Sequence, residues 1–125
     1  MNTVLIVDDS LIGRHVVEAM LSEGNVSLEF AAEGQEAYDK AVALKPDLII
    51  LDIMMPKVDG IEVTLMIRAH EDIKSTPIII LTALDDKDTR NRAIKAGANE
   101  VLVKPLKKSI LHETIESVMG KGFYD

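Results

Sequence analysis

The chain has no cysteine and no tryptophan, and aromatic residues make up only 3% of it. Without cysteine there is no disulfide framework, no thiol nucleophile and no thiolate metal site. Positive charge is also scarce. Fourteen Lys and Arg stand against 21 Asp and Glu, giving a formal net charge of -7. That balance argues against general binding to nucleic acid or to an anionic membrane, since both reward clustered cations. No apolar run approaches the roughly 20 residues that span a bilayer. The N-terminus lacks a basic region followed by a long apolar stretch, and acids arrive at Asp8 and Asp9, so it does not read as a signal peptide. A cytoplasmic location is expected. No G-x-G-x-x-G stands after any apolar run, which removes the dinucleotide-binding fingerprint.

What is present is 125 residues, 47% hydrophobic and 28% charged, enough for one domain with a real core. Five short apolar runs stand out: Thr3–Val7, Val26–Ala31, Asp47–Leu51, Pro77–Leu81 and Glu100–Val103. Most are continuous rather than alternating, the pattern of strands buried on both faces of a parallel sheet. The stretches between them have helical spacing. Val17 and Leu21 are four apart; Ala37, Ala41 and Leu44, and then Leu111, Ile115 and Val118, follow i, i+4, i+7. Ser10 is placed to cap the first helix, Asp85 or Asp86 the fourth, and Gly97 to end the fourth. The chain therefore predicts a β-α unit repeated five times, a doubly wound α/β domain with a parallel sheet.

In such a sheet, ligands bind beyond the carboxyl ends of the strands. The residues following the predicted strands are Asp8 and Asp9 after the first, Asp52 after the third, Thr82 after the fourth and Lys104 after the fifth. Any one of them could be a cap or a loop residue. Three carboxylates, a hydroxyl and an ammonium on one edge are not explained that way. Two carboxylates about 4 Å apart repel by about 1 kcal/mol in water-like surroundings and about 4 kcal/mol at a partly buried site. A divalent cation removes that repulsion, and an all-oxygen donor set selects Mg²⁺, Mn²⁺ or Ca²⁺ over Zn²⁺. Thr82 and Lys104 can then hold the anionic oxygens of a phosphoryl group, with one carboxylate as its acceptor. Asp52, standing apart from the acid pair, is the expected acceptor.

The motifs VDDS, LDIMMPKVDG, ILTA and VKP, in this order, make the chain resemble the receiver domain of two-component response regulators, the CheY-like family. The resemblance covers essentially the whole chain. It implies a five-stranded parallel sheet of order 2-1-3-4-5 with five helices, flavodoxin-like in topology. It also implies that Asp52 accepts a phosphoryl group from a phosphohistidine on a sensor histidine kinase or a histidine phosphotransfer protein. By the same resemblance, Asp8 and Asp9 form the acid pair that holds Mg²⁺ or Mn²⁺, with Asp9 as a direct ligand. Asp52 and the backbone carbonyl of Met54 complete the metal set. Thr82 is the switch hydroxyl, Lys104 pairs with the phosphoryl group, Lys104–Pro105 is a cis peptide, and Gly60 closes the loop after the acceptor. The new charge would shift a two-state surface that meets a downstream effector or output domain.

Two positions shape the expectation further. Val101 stands where the family often has Tyr or Phe, so signalling is expected to run through the loop after Thr82 and the following helix, or through packing of Val101. By the same resemblance, Met54 and Leu84, two residues beyond Asp52 and Thr82, stand at positions that flank the path of an attacking water; both are apolar here and cannot orient it, which predicts slow loss of phosphate. A flavodoxin shares the topology but wants a hydroxyl-rich phosphate loop after strand 1 and aromatics around its ring. An aspartyl-phosphate phosphatase typically has a second Asp two residues after its nucleophile, where this chain has Met54. The chain is accordingly expected to be a receiver domain over residues 1–125 that catalyses only its own phosphorylation and dephosphorylation. It would be either a single-domain regulator, the preferred reading, or the N-terminal part of a longer one. His15, His70 and His112 are single and scattered, and HETIE at 112–116 lacks a second zinc-spaced histidine, so a solvated helix face is expected there.

Overall fold

The structure is a computed structural model that describes residues 1–124. Five strands, β1 (Asn2–Val7), β2 (Val26–Ala31), β3 (Leu48–Asp52), β4 (Ile78–Thr82) and β5 (Glu100–Val103), alternate with five helices. The helices are α1 (Leu11–Leu21), α2 (Gly34–Leu44), α3 (Gly60–Arg68), α4 (Lys87–Ala96) and α5 (Lys108–Met119). The sheet is parallel, in the order β2-β1-β3-β4-β5. The expected architecture and strand order are both present.

The continuous apolar runs are explained by side-chain alternation across a sheet covered on both faces. Leu5, Val7, Ile49, Leu51, Ile78 and Ile80 point to one side. There they meet Ala37 and Ala41 of α2, Val63 and Ile67 of α3, and Ala93 and Ala96 of α4. Val4, Ile6, Leu48, Ile50, Ile79 and Leu81 point to the other, against Val17 and Leu21 of α1 and Leu111 and Ile115 of α5. Each strand thus feeds two cores. The outer strands are guarded. Lys40 Nζ donates to the Phe30 carbonyl on β2, and an Arg90 guanidinium N–H donates to the Val101 carbonyl on β5 at 3.2 Å. Cations over edge carbonyls leave less free ladder for another chain to pair with.

Several boundaries differ from the sequence expectation. Asp47 precedes β3 rather than beginning it; its carboxylate accepts from Thr3 N–H at 2.7 Å. Asp52 and Thr82 are the last residues of β3 and β4, not the first beyond them. They stay in the ladder because their strands remain paired to the end, Asp52 opposite Leu81 and Thr82 opposite Val103. Leu44 does not extend the buried stripe of α2. It is exposed at the helix end, where Lys45 turns into the left-handed region at φ 48°. Ser10, Asp86 and Gly97 cap as expected.

Candidate functional site

Alternation also decides which polar side chains meet at the carboxyl edge. Leu48 and Ile50 of β3 face α1 and α5, and Asp52 continues their parity. Asp8 continues Val4 and Ile6, and Lys104 continues Leu102, toward the same face. Thr82 continues Ile78 and Ile80, toward α4. The first three meet. Lys104 Nζ is 3.0 Å from Asp52 Oδ2 and 3.3 Å from Asp8 Oδ2. Thr82 is buried, and its hydroxyl oxygen accepts from Leu84 N–H at 3.0 Å.

The two acids of VDDS are not equivalent. Asp8 is buried, with Oδ1 accepting from Ser10 N–H at 2.9 Å, whereas Asp9 is exposed. Carboxylate oxygens of Asp8, Asp9 and Asp52 nevertheless lie within 4.8 Å of one another. Asp52 Oδ1 accepts from Met54 N–H at 3.1 Å, which sets the Met54 backbone beside the carboxylate. Lys104–Pro105 is cis. Gly60 is buried under the end of β3, donating its N–H to Ile53 O at 3.0 Å, and a Cβ there would run into the Asp52 carbonyl.

The electrostatics are those of a crowded acid cluster. Burial pushes the Asp52 carboxyl above the usual carboxylate range, and the Asp8 charge adds to this; the Lys104 ammonium and Met54 N–H oppose it without cancelling it. Burial works to lower Lys104, but the bonds and charges of Asp52 and Asp8 outweigh it and hold the lysine above its ordinary value. The donor set is all oxygen and carries more negative than positive charge, which fits a hard divalent cation.

Two residues of the site have no signal in the residue-by-residue reading. Gly13 packs its Cα against Asp8, and a Cβ at 13 would collide with that carboxylate. Arg14 donates from its guanidinium to the Asp8 carbonyl at 2.7 Å. Both follow from the start of α1 at Leu11, which turns residues 13 and 14 back over strand 1. Two hollows flank the site, of which the α1-side one reaches Asp8 and Lys104. A cavity of about 450 Å³ on the α1 side is lined by Asp8, Gly13, Val16, Leu81, Lys104 and Leu106. A groove of about 430 Å³ on the α4 side includes Met54, Met55, Pro56, Leu84, Thr89 and Arg92. Met54 and Leu84 are both exposed there.

The histidines lie apart from this cluster. His15 lines a shallow groove with Leu11, Arg14, Glu18 and Phe30. His70 meets Tyr38 edge-on at 6.1 Å. His112 is not on a solvated face: its ring packs on Tyr124 at 4.4 Å, and Nε2 lies 2.7 Å from the Met20 carbonyl. Phe123 and Tyr124 fold back and cover that side of α5.

Residues 4–116 match the family model described as the response regulator receiver domain. The response regulator MprA of Mycolicibacterium vanbaalenii is 39% identical over 102 residues, which is 82% of this chain and 43% of that protein. The chain spans about half the length of the curated relatives it matches. The chemotaxis protein CheY4 of Vibrio cholerae is similar in structure, with a TM-score of 0.89 and 35% identity over 95% of this chain and 99% of that one. So is the receiver domain of the sensor histidine kinase PA1611 of Pseudomonas aeruginosa, solved with a magnesium ion coordinated in its active-site cleft. Its TM-score is 0.88, with 32% identity over 96% of this chain and 98% of that one.

Proposed function

The chain belongs to the receiver domains of two-component response regulators, and from that premise we propose that Asp52 is its phosphoryl acceptor. The observation that carries the proposal is the bridging of Asp52 and Asp8 by one ammonium, Lys104, in a cluster with a third carboxylate, Asp9. The donor is a phosphohistidine on a sensor histidine kinase or a histidine phosphotransfer protein. An Asp52 carboxylate oxygen forms the new P–O bond, the P–N bond breaks, and its electron pair leaves with the imidazole. Lys104 is already charged and directed at Asp52, so it can pass from a carboxylate oxygen to a phosphoryl oxygen with little movement. Thr82 has its oxygen engaged by Leu84 N–H, which leaves its own hydroxyl proton for a phosphoryl oxygen.

Asp8, Asp9, Asp52 and the Met54 backbone carbonyl are the groups that would hold Mg²⁺ or Mn²⁺. A bound divalent cation offsets the mutual repulsion of these carboxylates and spreads the charge of the transferring phosphoryl group. The domain unit is residues 1–125. It acts on no outside substrate beyond the phosphodonor; with Met54 two residues after Asp52, the position typical of a phosphatase acid carries no proton. The product is a change in a protein-facing surface, read by an effector or an output domain. Its site of action is the cytoplasm, where a phosphohistidine donor of this kind is found; among the described residues no helix is long and apolar enough to cross a membrane.

The test is intact-mass measurement after incubation with a small phosphodonor and Mg²⁺. One added phosphoryl group is expected, absent with a chelator and absent in Asp52→Asn. Labelling that survives Asp52→Asn overturns the acceptor assignment.

A further inference from the structure

Asp8 is held at four points by residues from different parts of the chain. Its N–H donates to the Ala31 carbonyl at 3.2 Å, carrying the pairing of β1 with β2 one residue past the strand. Asp8 Oδ1 accepts from Ser10 N–H at 2.9 Å, and Oδ2 accepts from Lys104 Nζ at 3.3 Å. The fourth point is the Asp8 carbonyl, which accepts from an Arg14 guanidinium N–H at 2.7 Å. The first three fix Asp8 itself. The fourth also acts on the next residue, because the Asp8 carbonyl and the Asp9 N–H belong to one planar peptide unit. Turning that plane turns the Asp9 Cα and swings its carboxylate.

Asp9 has little else to hold it. β1 ends at Val7 and α1 begins at Leu11, so Asp9 belongs to neither ladder nor helix. It is exposed, and among the described residues no ion pair includes it. One of its carboxylate oxygens nonetheless lies within 4.8 Å of oxygens of Asp8 and Asp52.

Arg14 is placed by the first turn of α1. Ser10 Oγ accepts from Gly13 N–H at 3.2 Å, and Ser10 O accepts from Arg14 N–H at 3.0 Å. Helical side chains lean toward the N-terminus, which carries the guanidinium back over the end of β1. It is backed there by Phe30, Ala31 and Ala32 at the end of β2. Among the described residues Arg14 also joins no ion pair; it bonds a neutral carbonyl although the acid cluster is beside it. Its charge and its bond therefore act on a metal with opposite sign. The charge repels a divalent cation, whereas the bond orders a ligand for it.

We propose that Arg14 is a positioning residue for the metal: by fixing the Asp8–Asp9 peptide it presents the Asp9 carboxylate, together with Asp8 and Asp52, to a divalent cation. This rests on the reading of the acid cluster as a Mg²⁺ site, and not on Asp52 as phosphoryl acceptor. Residues that orient a ligand without touching the metal are half of many metal sites.

The experiment is calorimetric titration of the full chain with Mg²⁺ alone, for the wild type, Arg14→Met, Arg14→Gln and Arg14→Lys. The glutamine side chain ends two bonds short of the guanidinium nitrogens and is a good helix former, so it replaces the methionine variant if that one folds poorly. Both neutral variants should bind Mg²⁺ about tenfold more weakly, the usual cost of losing a residue that orients a ligand. Arg14→Lys, one bond short and able to donate, should fall between them and the wild type. With a small phosphodonor, the Mg²⁺ concentration for half-maximal labelling should rise in the neutral variants by a larger factor than the saturated rate falls. Mg²⁺ affinity that stays within about twofold or rises in a folded neutral variant overturns the proposal, since the charge would then outweigh the bond. A lysine variant weaker than the methionine one overturns the hydrogen bond as the cause. A wild type that binds no Mg²⁺ overturns the reading of the cluster, and Arg14's role with it. A wild type that binds Mg²⁺ but takes no phosphoryl group overturns the acceptor reading alone, and the titration still decides Arg14.

Discussion

Lys104 Nζ stands 3.0 Å from Asp52 Oδ2, joining residues 52 positions apart in the chain. Because Asp8 Oδ2 lies 3.3 Å from the same nitrogen, one cation answers two buried carboxylates. A third, Asp9, stands at their edge. The cluster is under-neutralised, and most consequences of the site follow from that imbalance.

The imbalance has a sign that stability can report. Burial raises the Asp52 carboxyl above its ordinary range. Between the unfolded and folded values the native state therefore holds the proton more tightly. Stability is fully present below the unfolded value and is lost as pH rises through the folded one. In chelator at neutral pH, Asp52→Asn should melt higher than the wild type, by on the order of 1 kcal/mol or roughly 4 °C for a domain of this size. The gap should narrow as pH falls through the folded value and vanish below the unfolded one, where the wild-type carboxyl is protonated in both states. A lower melting temperature for Asp52→Asn would mean that the pairing with Lys104 outweighs the burial.

Gly60 and Gly13 make separable predictions. A Cβ at 60 meets backbone, the Asp52 carbonyl and, at 2.8 Å, Ile53 Cα, so no rotamer change relieves it. Gly60→Ala should destabilise by about 1–3 kcal/mol in urea unfolding. A Cβ at 13 meets a carboxylate that can rotate aside. Gly13→Ala should therefore unfold closer to the wild type but bind Mg²⁺ more weakly, as titration calorimetry can measure.

Lys57, in the loop after the acceptor, has φ 67°, a conformation that costs a non-glycine residue about 1–2 kcal/mol. Lys57→Gly trades that strain against greater freedom of the unfolded chain. The expected result is a gain of up to about 1 kcal/mol, and Lys57→Val should lose stability. Chemical denaturation of the three proteins orders them.

Met54 and Leu84 are exposed along the α4-side groove and offer no side-chain hydrogen bond to a water. Phosphate release from the labelled protein should be slow and should speed up several-fold in Met54→Asn or Leu84→Gln. Slower release in both variants would contradict a role for these side chains in limiting water attack.

Much of this molecule is legible in one dimension. Continuous Val, Ile and Leu runs alternating with 3.6-period stripes require a two-faced parallel sheet, and Asp8, Asp52 and Lys104 fall at strand ends by position alone. Asp85 and Asp86 cannot be told apart as caps in that reading, because either satisfies the composition rule and only the phase of α4 chooses Asp86. Leu44 leaves its stripe for a related reason: periodicity marks a face but not where the helix stops. The seat of His112 is out of reach of any local pattern, since its partners Met20 and Tyr124 are 92 and 12 residues away.

The sheet, its two cores and the chemistry gathered at one edge are thus written residue by residue, because burial on both faces and charge at strand ends are local properties of the chain. How that chemistry is shared is settled in three dimensions. Side-chain parity turns Asp8, Asp52 and Lys104 toward α1 and α5, and Thr82 toward α4. The start of α1 sets Gly13 and Arg14 over Asp8. The end of α3 sends Arg68 across to α4. Each of these depends on the angle at which one element meets another, and that angle is fixed by packing between segments distant in the chain, not by any local pattern.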